Sequence, residues 1–328
     1  MAFRTALIIA LLAGVECASA EQIAAPSKAD PVQGEGHPPS SNGLGLVLPG
    51  LTVPVMINGQ GPYQFAIDSG STTTLISDEL ATRLQLPQGK PVRVHAMGGT
   101  GRIPTVKIEQ IEVSNNRLHN IDVAAVPRGN INADGLLGLN LLKNQRVVMD
   151  FRAGLIRIKP STASADPEKL ADDNSEEVIV VTARRRHGQL VMVDADANGQ
   201  KIWVIVDSGS QSSVGNLRLM RLLVKRKPGM KILPIGLLDV SGRRTEAEYT
   251  YVDRLRVGGI AIGNVPIAFA DVHPFRLFDL SNKPALLLGQ ETLQIFNRVN
   301  IDFASRKVAF QIAKDKLRPS LDVRPNVP

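Results

Sequence analysis

The sequence predicts a mostly-β protein of two similar lobes, and three observations carry this prediction. An apolar run followed by Asp-Ser-Gly-Ser occurs twice, as FAIDSGS at residues 65–71 and as VIVDSGS at residues 204–210. Each copy is followed by a Leu-Leu-Gly motif and then by two short β-type segments in the same order. Short β-rich phrases separated by turn signals make up most of the remaining chain. Because only two copies exist, the duplication indicates two like domains rather than a solenoid.

The repeat extends well beyond the Asp-Ser-Gly tripeptide. The first half continues with ADGLLGL, VVMDF and LIRI, and the second half continues with PALLLG, VNIDF and KVAF. Asp68 precedes Gly138 by 70 positions, and Asp207 precedes Gly289 by 82 positions. The extra length of the second half fits an insertion around residues 271–278.

The elements within the lobes follow from local patterns. Lobe one contains β-rich phrases at residues 53–57, 92–94 and 108–113, and the turn signal Asn58-Gly59 matches Asn198-Gly199 in lobe two. Ser77 is predicted to cap a short helix, with acidic residues in its first turn and Leu80 and Leu84 on one face.

Composition places the domain boundaries. Residues 1–20 are typical of a secretory signal peptide, with Arg4, an apolar core and the small residues Ala18-Ser19-Ala20 before the cleavage point. Cleavage there removes Cys17, the single cysteine, so the exported protein would have no disulfide; Glu16 argues against lipidation of Cys17. We predict the remaining boundaries as follows: a flexible leader at 21–43, lobe one at 44–160, a linker at 161–175, lobe two at 176–314 and a tail at 315–328.

Residues 176–184 allow two interpretations. The segment is similar to the TonB box of outer-membrane receptors, which pairs by strand addition. No receptor barrel follows it, so we favour the first strand of lobe two.

Each half of the chain resembles a retropepsin-like domain, and the two in tandem resemble a single-chain, pepsin-type bilobal aspartic protease. The resemblance rests on the two Asp-Ser-Gly-Ser motifs and the two Leu-Leu-Gly motifs, and it covers residues 44–314. It implies a two-lobed, pepsin-like fold made of two retropepsin-like β-barrel repeats, with a cleft between the lobes.

Asp68 and Asp207 are the predicted catalytic pair. A lone carboxylate after a buried strand is costly to desolvate, and two held close together share one proton. Such a pair acts as base and acid at once, since one carboxylate takes a proton from water while the other gives one to a carbonyl oxygen. The alternative is that each aspartate only ends a strand and accepts bonds from nearby backbone amides.

The neighbouring loop residues support this pair. Gly70 and Gly209 allow a tight turn that aims backbone amides at the carboxylates. The resemblance implies that Ser69 and Ser208 form a hydroxyl-to-backbone network between the lobes.

Other small residues of the two motifs have simpler predicted roles. Ser71 and Ser210 either bond to the outer carboxylate oxygens or are ordinary turn serines. Gly138 and Gly289 are interpreted as structural, on the strand that packs behind the catalytic loop.

A glycine-rich segment between two β phrases resembles a retropepsin-style flap over the substrate, and its alternative is a plain hairpin turn. The matching region of lobe two, residues 238–243, has fewer glycines, so one flap is expected to dominate. Lobe one lacks the flap tyrosine usual in pepsins. The predicted flap residues are Met97, Gly98, Gly99, Thr100 and Gly101.

The sequence therefore predicts an exported aspartic endopeptidase, periplasmic or secreted, that acts on a peptide or protein substrate as a monomer with no metal or cofactor. The five histidines show no metal-ligand spacing, and an aromatic content of 4% argues against nucleic-acid binding. No segment after the signal predicts stable membrane insertion. Two alternatives stay open: a non-catalytic peptide- or protein-binding module, and lobes that pair between chains.

Overall fold

The computed structural model describes residues 5–7, 11–14, 51–161, 176–186, 189–192 and 194–313. The predicted leader and tail lie outside the described residues, as do residues 162–175 of the predicted linker. Two short strands, β1 (Thr5–Leu7) and β2 (Leu11–Gly14), fall within the predicted signal peptide, whose other residues also lie outside the described part.

Lobe one is built around a closed β-barrel. Its two helices are α1 (Asp78–Arg83) and α2 (Leu139–Leu142), and one turn of 3-10 helix spans Arg128–Asn130. The strands are β3 (Thr52–Ile57), β4 (Gln60–Ile67), β5 (Leu75–Ser77), β6 (Val92–Ala96), β7 (Gly99–Ile103), β8 (Thr105–Val113), β9 (Asn116–Val126), β10 (Gly135–Leu137), β11 (Gln145–Asp150) and β12 (Leu155–Pro160). The barrel closes in the order β10-β4-β3-β8-β9-β5.

Lobe two is also mostly β, and most of its strands form one large sheet. Its helices are α3 (Leu217–Arg226), α4 (His273–Leu277) and α5 (Gln290–Leu293). Its strands are β13 (Glu176–Thr182), β14 (Arg184–Arg186), β15 (Gln189–Met192), β16 (Ala195–Ala197), β17 (Gln200–Lys201), β18 (Trp203–Val206), β19 (Val214–Gly215), β20 (Leu233–Asp239), β21 (Arg244–Val257), β22 (Ile260–Phe269), β23 (Ala285–Leu288), β24 (Arg298–Asp302) and β25 (Lys307–Ala313). Across the described residues, no helix is long and apolar enough to span a membrane.

The two lobes repeat one strand order. Lobe one runs β4-β10-β5-β9-β8, and lobe two runs β18-β23-β19-β22-β21. In lobe one β3 pairs with both β4 and β8 and closes the barrel, whereas in lobe two β15 pairs with β18 and β16 pairs with β21. The Asn58-Gly59 and Asn198-Gly199 turns occupy matching places, and all four residues have positive φ. The prediction of a mostly-β protein of two retropepsin-like repeats is thus confirmed.

Local predictions also hold. Ser77 caps α1, its hydroxyl oxygen accepting from the Leu80 amide at 3.1 Å. Residues 176–182 form a strand, as favoured for this segment, and it pairs antiparallel with β25. The predicted insertion contains α4, whereas the matching part of lobe one holds only the single 3-10 turn.

A five-stranded sheet in the order β12-β11-β24-β25-β13 joins the lobes. At its centre β11 runs antiparallel to β24, and two ion pairs cross this junction in matching positions. Arg146 Nη2 lies 3.0 Å from Asp302 Oδ2, and Arg298 Nη2 lies 2.7 Å from Asp150 Oδ2. Burial alone would raise the pKa of Asp150, but the Ala153 amide and Arg298 outweigh it and the net pKa is lowered. Ion pairs of this kind orient one lobe on the other.

Removing one partner of such a pair is expected to be costly. Arg298→Met leaves the nearly buried Asp150 carboxylate without its guanidinium, which should lower the free energy of unfolding by about 3 kcal/mol. Arg117→Met is the control, because its pair with Glu112 is exposed and is worth at most about 1 kcal/mol. Urea unfolding near neutral pH measures both. Equal losses of unfolding free energy in the two variants would contradict a stabilising role for the ion pair between Arg298 and Asp150.

Candidate active site

The two Asp-Ser-Gly loops meet at the junction of the lobes. Asp68 follows β4 and Asp207 follows β18, and both aspartates are fully buried. A Cβ atom placed on Gly209 would lie 2.3 Å from Cγ of Asp68, so the loop of lobe two directly abuts the carboxyl group of lobe one. Folding therefore brings together two aspartates that are 139 positions apart in the sequence.

A reciprocal serine network ties the loops together. Ser69 Oγ donates to the carbonyl oxygen of Val206 at 2.9 Å, and Ser208 Oγ donates to that of Ile67 at 3.0 Å. Each hydroxyl oxygen also accepts from the backbone amide of the other serine at 3.0 Å. The network crosses from lobe to lobe directly beside the aspartates, where the resemblance placed it.

Each aspartate uses one oxygen for its own loop. Asp68 Oδ1 accepts from the Gly70 amide at 3.0 Å, and Asp207 Oδ1 accepts from the Gly209 amide at 3.2 Å. The other oxygen of each, Oδ2, is buried and has no hydrogen-bond partner among the described residues. Buried polar atoms in proteins are nearly always bonded, so these two oxygens on adjoining loops fit a proton shared between the carboxyls.

Burial sets the protonation of the pair. It raises the pKa of Asp68 to about 7, although the backbone amides of Gly70 and Ser71 oppose it. Burial also raises the pKa of Asp207 well above its usual range, and the adjacent charge of Asp68 raises it further. The two carboxyls consequently retain a proton at pH values where ordinary aspartates have lost theirs.

The outer serines of the motifs act within their turns. The hydroxyl of Ser71 donates to the Thr73 carbonyl oxygen at 2.6 Å, and that of Ser210 donates to the Ser212 carbonyl oxygen at 2.7 Å. Of the two predicted roles, these bonds match the turn serine. It is the backbone amides of these residues that act on the aspartates.

Gly138 and Gly289 directly follow β10 and β23, and both lie against the loops that follow the Asp-Ser-Gly motifs. A Cβ atom on Gly138 would come within 2.4 Å of the Thr73 backbone, and one on Gly289 within 2.4 Å of the Ser212 carbonyl oxygen. The glycine amides donate to Thr74 Oγ1 and Ser213 Oγ. Glycine is therefore required here for close packing against the loop, which matches the structural interpretation.

Two hairpins, one from each lobe, lie against each other. The β6–β7 hairpin turns at Met97 and Gly98, and its second strand carries the predicted flap residues Gly99, Thr100 and Gly101. The β20–β21 hairpin turns at residues 240–243. We call them the first flap and the second flap.

The tip of each flap packs against the opposite lobe. Met97 of the first flap is 1% exposed and packs in a lobe-two cluster with Ile205 and Val214. Val240 of the second flap is fully buried in a lobe-one cluster with Ala66 and Leu75. Ala66 and Ile205 lie two residues before Asp68 and Asp207. Each flap tip therefore packs on the opposite lobe, next to the Asp-Ser-Gly loop of that lobe.

Polar contacts lock the tips to each other. The Gly98 amide donates to Asp239 Oδ2 at 2.8 Å, and Arg243 Nη1 donates to the Gly98 carbonyl oxygen at 2.8 Å. Asp239 Oδ1 also accepts from the Ser241 amide and so orders its own turn. Sequence reasoning missed Asp239, Val240 and Arg243. An aspartate two positions before Ser241-Gly242 is a usable turn signal, but nothing local indicates the contact with Gly98.

Among the described residues, no group of three or more His, Cys, Asp or Glu side chains is arranged to hold a metal ion.

Buried carboxyls on matching loops of two repeats define a two-lobed protein in which one site is built from both lobes. Residues 53–144 match the family model of the gag-polyprotein aspartyl protease, and residues 193–292 match the model named aspartyl protease. The chain carries two aspartyl protease domains in tandem, one in each lobe.

One similar structure is a retropepsin-like aspartic protease from Rickettsia conorii, with 20% identity and a TM-score of 0.29. The match covers 42% of this chain and 94% of that one. The comparison with curated proteins gives no match.

Proposed function

We propose that the protein is an aspartic endopeptidase that hydrolyses peptide bonds with a water molecule activated by Asp68 and Asp207. The observation that carries this proposal is the pair of buried, unpartnered Oδ2 atoms on adjoining loops of the two lobes. The raised pKa values support it, because a pair that holds a single proton has one base and one acid ready at the same time.

The reaction follows from that single proton. The ionised carboxylate takes a proton from the bound water, whose oxygen attacks the peptide carbonyl carbon. The neutral carboxyl gives its proton to the carbonyl oxygen, forming a neutral tetrahedral diol. One diol hydroxyl then returns its proton to a carboxylate, the C–N bond breaks, and the other carboxyl protonates the leaving amine. The backbone amides of Gly70 and Gly209, which donate to the Oδ1 atoms of the two aspartates, keep both carboxyls oriented throughout.

The flaps suit an extended peptide, because strand edges bind peptides through the backbone and exclude water when they close. The signal-like pattern at the start of the sequence supports an exported enzyme, periplasmic or secreted.

Digestion of a mixed peptide library at several pH values tests the proposal. New termini should appear, and the rate should follow a bell-shaped pH profile, because both the doubly protonated and the fully ionised pair are inactive. Since burial raises the pKa values of both carboxyls above the ordinary aspartate range, the bell should lie at higher pH than the value of about 4 at which unperturbed aspartates titrate. A rate that climbs steadily to alkaline pH would contradict this, and peptide binding without new termini would favour a non-catalytic binding module.

We also propose that the two loops meet within one chain. The five-stranded sheet and its ion pairs join lobes of the same chain, and the linker keeps the lobes at high effective concentration. We expect an active monomer, and no rescue when Asp68→Asn chains are mixed with Asp207→Asn chains. Activity confined to a dimer and restored by mixing would show that lobes pair between chains.

A further inference from the structure

Segment 271–278, the insertion that distinguishes lobe two from lobe one, contacts the first flap. Helix α4 begins at His273, and the backbone amide of His273 donates to the Met97 carbonyl oxygen at 3.0 Å. The side chain of Met97 belongs to the same buried cluster as Val272, Phe275 and Phe278. The insertion thus binds the flap tip through both its backbone and its side chain.

A pair of histidines lies beside this contact. His95 Nδ1 of β6 lies 2.6 Å from His273 Nε2, and the two rings are nearly parallel, with centroids 4.9 Å apart and an interplanar angle of 13°. A hydrogen bond between two ring nitrogens needs one to donate and the other to accept. The contact is therefore compatible with neutral rings, but it cannot survive when both rings are protonated, because both nitrogens then carry hydrogens and both rings are positive.

The surroundings of the pair disfavour its charged form. Burial and Arg93 on β6 lower the pKa of His95. Burial, His95 and Arg276 on α4 lower the pKa of His273, and Arg276 itself pairs with Asp271 at 2.9 Å. The closed flap thus prefers neutral imidazoles. Its stabilisation is complete above the ordinary histidine pKa of about 6.5 and is lost as the pH falls below that value.

We propose that segment 271–278 is a latch that holds the first flap closed over Asp68 and Asp207, and that acid releases it by protonating His95 and His273. The functional value of this latch rests on the proposed peptidase activity, because release of the flap would give a peptide access to the carboxyl pair. The matching part of lobe one, the 3-10 turn Arg128–Asn130, holds the second flap through Asn130 Nδ2, which donates to the Val240 carbonyl oxygen at 2.9 Å, but this turn contains no histidine.

Hydrogen exchange of the wild-type chain without substrate tests the latch. The measured quantity is the protection of the amides of residues 97–101 and 273 at about pH 7.5 and about pH 5.5, corrected for intrinsic exchange rates. We expect protection to fall at the lower pH by up to about tenfold for each histidine, since about pH 5.5 lies one unit below the ordinary histidine pKa of about 6.5. The double variant His95→Gln/His273→Gln keeps hydrogen-bonding side chains that do not titrate, and its protection should not change with pH.

His119→Gln is the matched control, because His119 is exposed on β9 and should leave the wild-type response intact. Constant protection in the wild type, or an undiminished fall in the double variant, would overturn the proposal. Imidazole NMR titration of the wild type gives a second measurement that needs no variant. His95 and His273 should titrate below the ordinary histidine pKa of about 6.5, and titration of both at that value would also overturn the latch. Neither readout uses cleavage, so failure of the latch and failure of the proposed activity are distinguishable.

Discussion

Asp68→Asn and Asp207→Asn are each expected to abolish peptide cleavage while the fold persists. The mechanism needs both carboxyls, and asparagine can neither take the proton from water nor deliver one. The side-chain oxygen can still accept from the Gly70 or Gly209 amide, so the loop geometry should be retained. We expect kcat/KM to fall by about 10³-fold or more in either variant. Initial rates on a library-derived peptide at the optimal pH measure the loss.

Two further readouts sharpen this test. The double variant should be no less active than either single one, because groups that act as one unit are non-additive. Asp253→Asn is the control, since Asp253 is half exposed and pairs with Lys227 on the surface. Either catalytic-site variant with near wild-type turnover, or losses that multiply, would remove the dyad assignment.

The same substitutions should stabilise the fold at high pH. The pKa of Asp68 is raised to about 7 in the folded state, so ionising it there opposes folding. This cost is absent below the ordinary aspartate pKa, grows as the pH rises, and is complete above about 7. Asp68→Asn should therefore raise the midpoint of thermal unfolding more at about pH 8 than at about pH 4. If the stability difference between the variant and the wild type did not change with pH, the raised pKa of Asp68 in the folded state would be contradicted.

The fold and the catalytic loops could be predicted because their signals are local. An apolar strand ending in Asp-Ser-Gly specifies both a buried element and its turn, and duplication of that pattern specifies two lobes. Ser77 followed by two acidic residues was enough to place α1. The structural role of Gly138 and Gly289 was also predictable, because each glycine follows a buried strand that passes close to the backbone of another segment.

The relation between the flaps could not be predicted, because it depends on contacts between distant segments. Few glycines in residues 238–243 suggested one dominant flap, yet Val240 and Met97 occupy matching clusters of opposite lobes. Asp239 meets Gly98 across 141 positions of sequence. His95 and His273 are 178 positions apart, so no spacing rule could pair them. Contacts of this kind are determined by packing of the lobes and not by any local pattern.

Gly209→Ala is expected to disrupt the site by adding one methyl group between the two Asp-Ser-Gly loops. The new Cβ would lie 2.3 Å from Cγ of Asp68 and 2.4 Å from its Oδ1, distances that no side chain tolerates. Asp68 is itself fixed by the Gly70 amide, so relief requires the loops of the two lobes to separate. Separation would weaken the serine network and move the carboxyls apart. We expect cleavage to be lost and the free energy of unfolding to fall by about 2 to 3 kcal/mol.

Gly129→Ala provides the matched control, because a Cβ at that exposed glycine would have no heavy atom within 4 Å. It should keep wild-type cleavage and change stability by less than about 0.5 kcal/mol. The comparison separates the effect of close approach from that of lost glycine flexibility, since both variants carry the same chemical change. If Gly209→Ala retained full activity and stability, the loops of the two lobes would have to lie farther apart than a shared proton allows, and Asp68 and Asp207 would then be two separate structural aspartates.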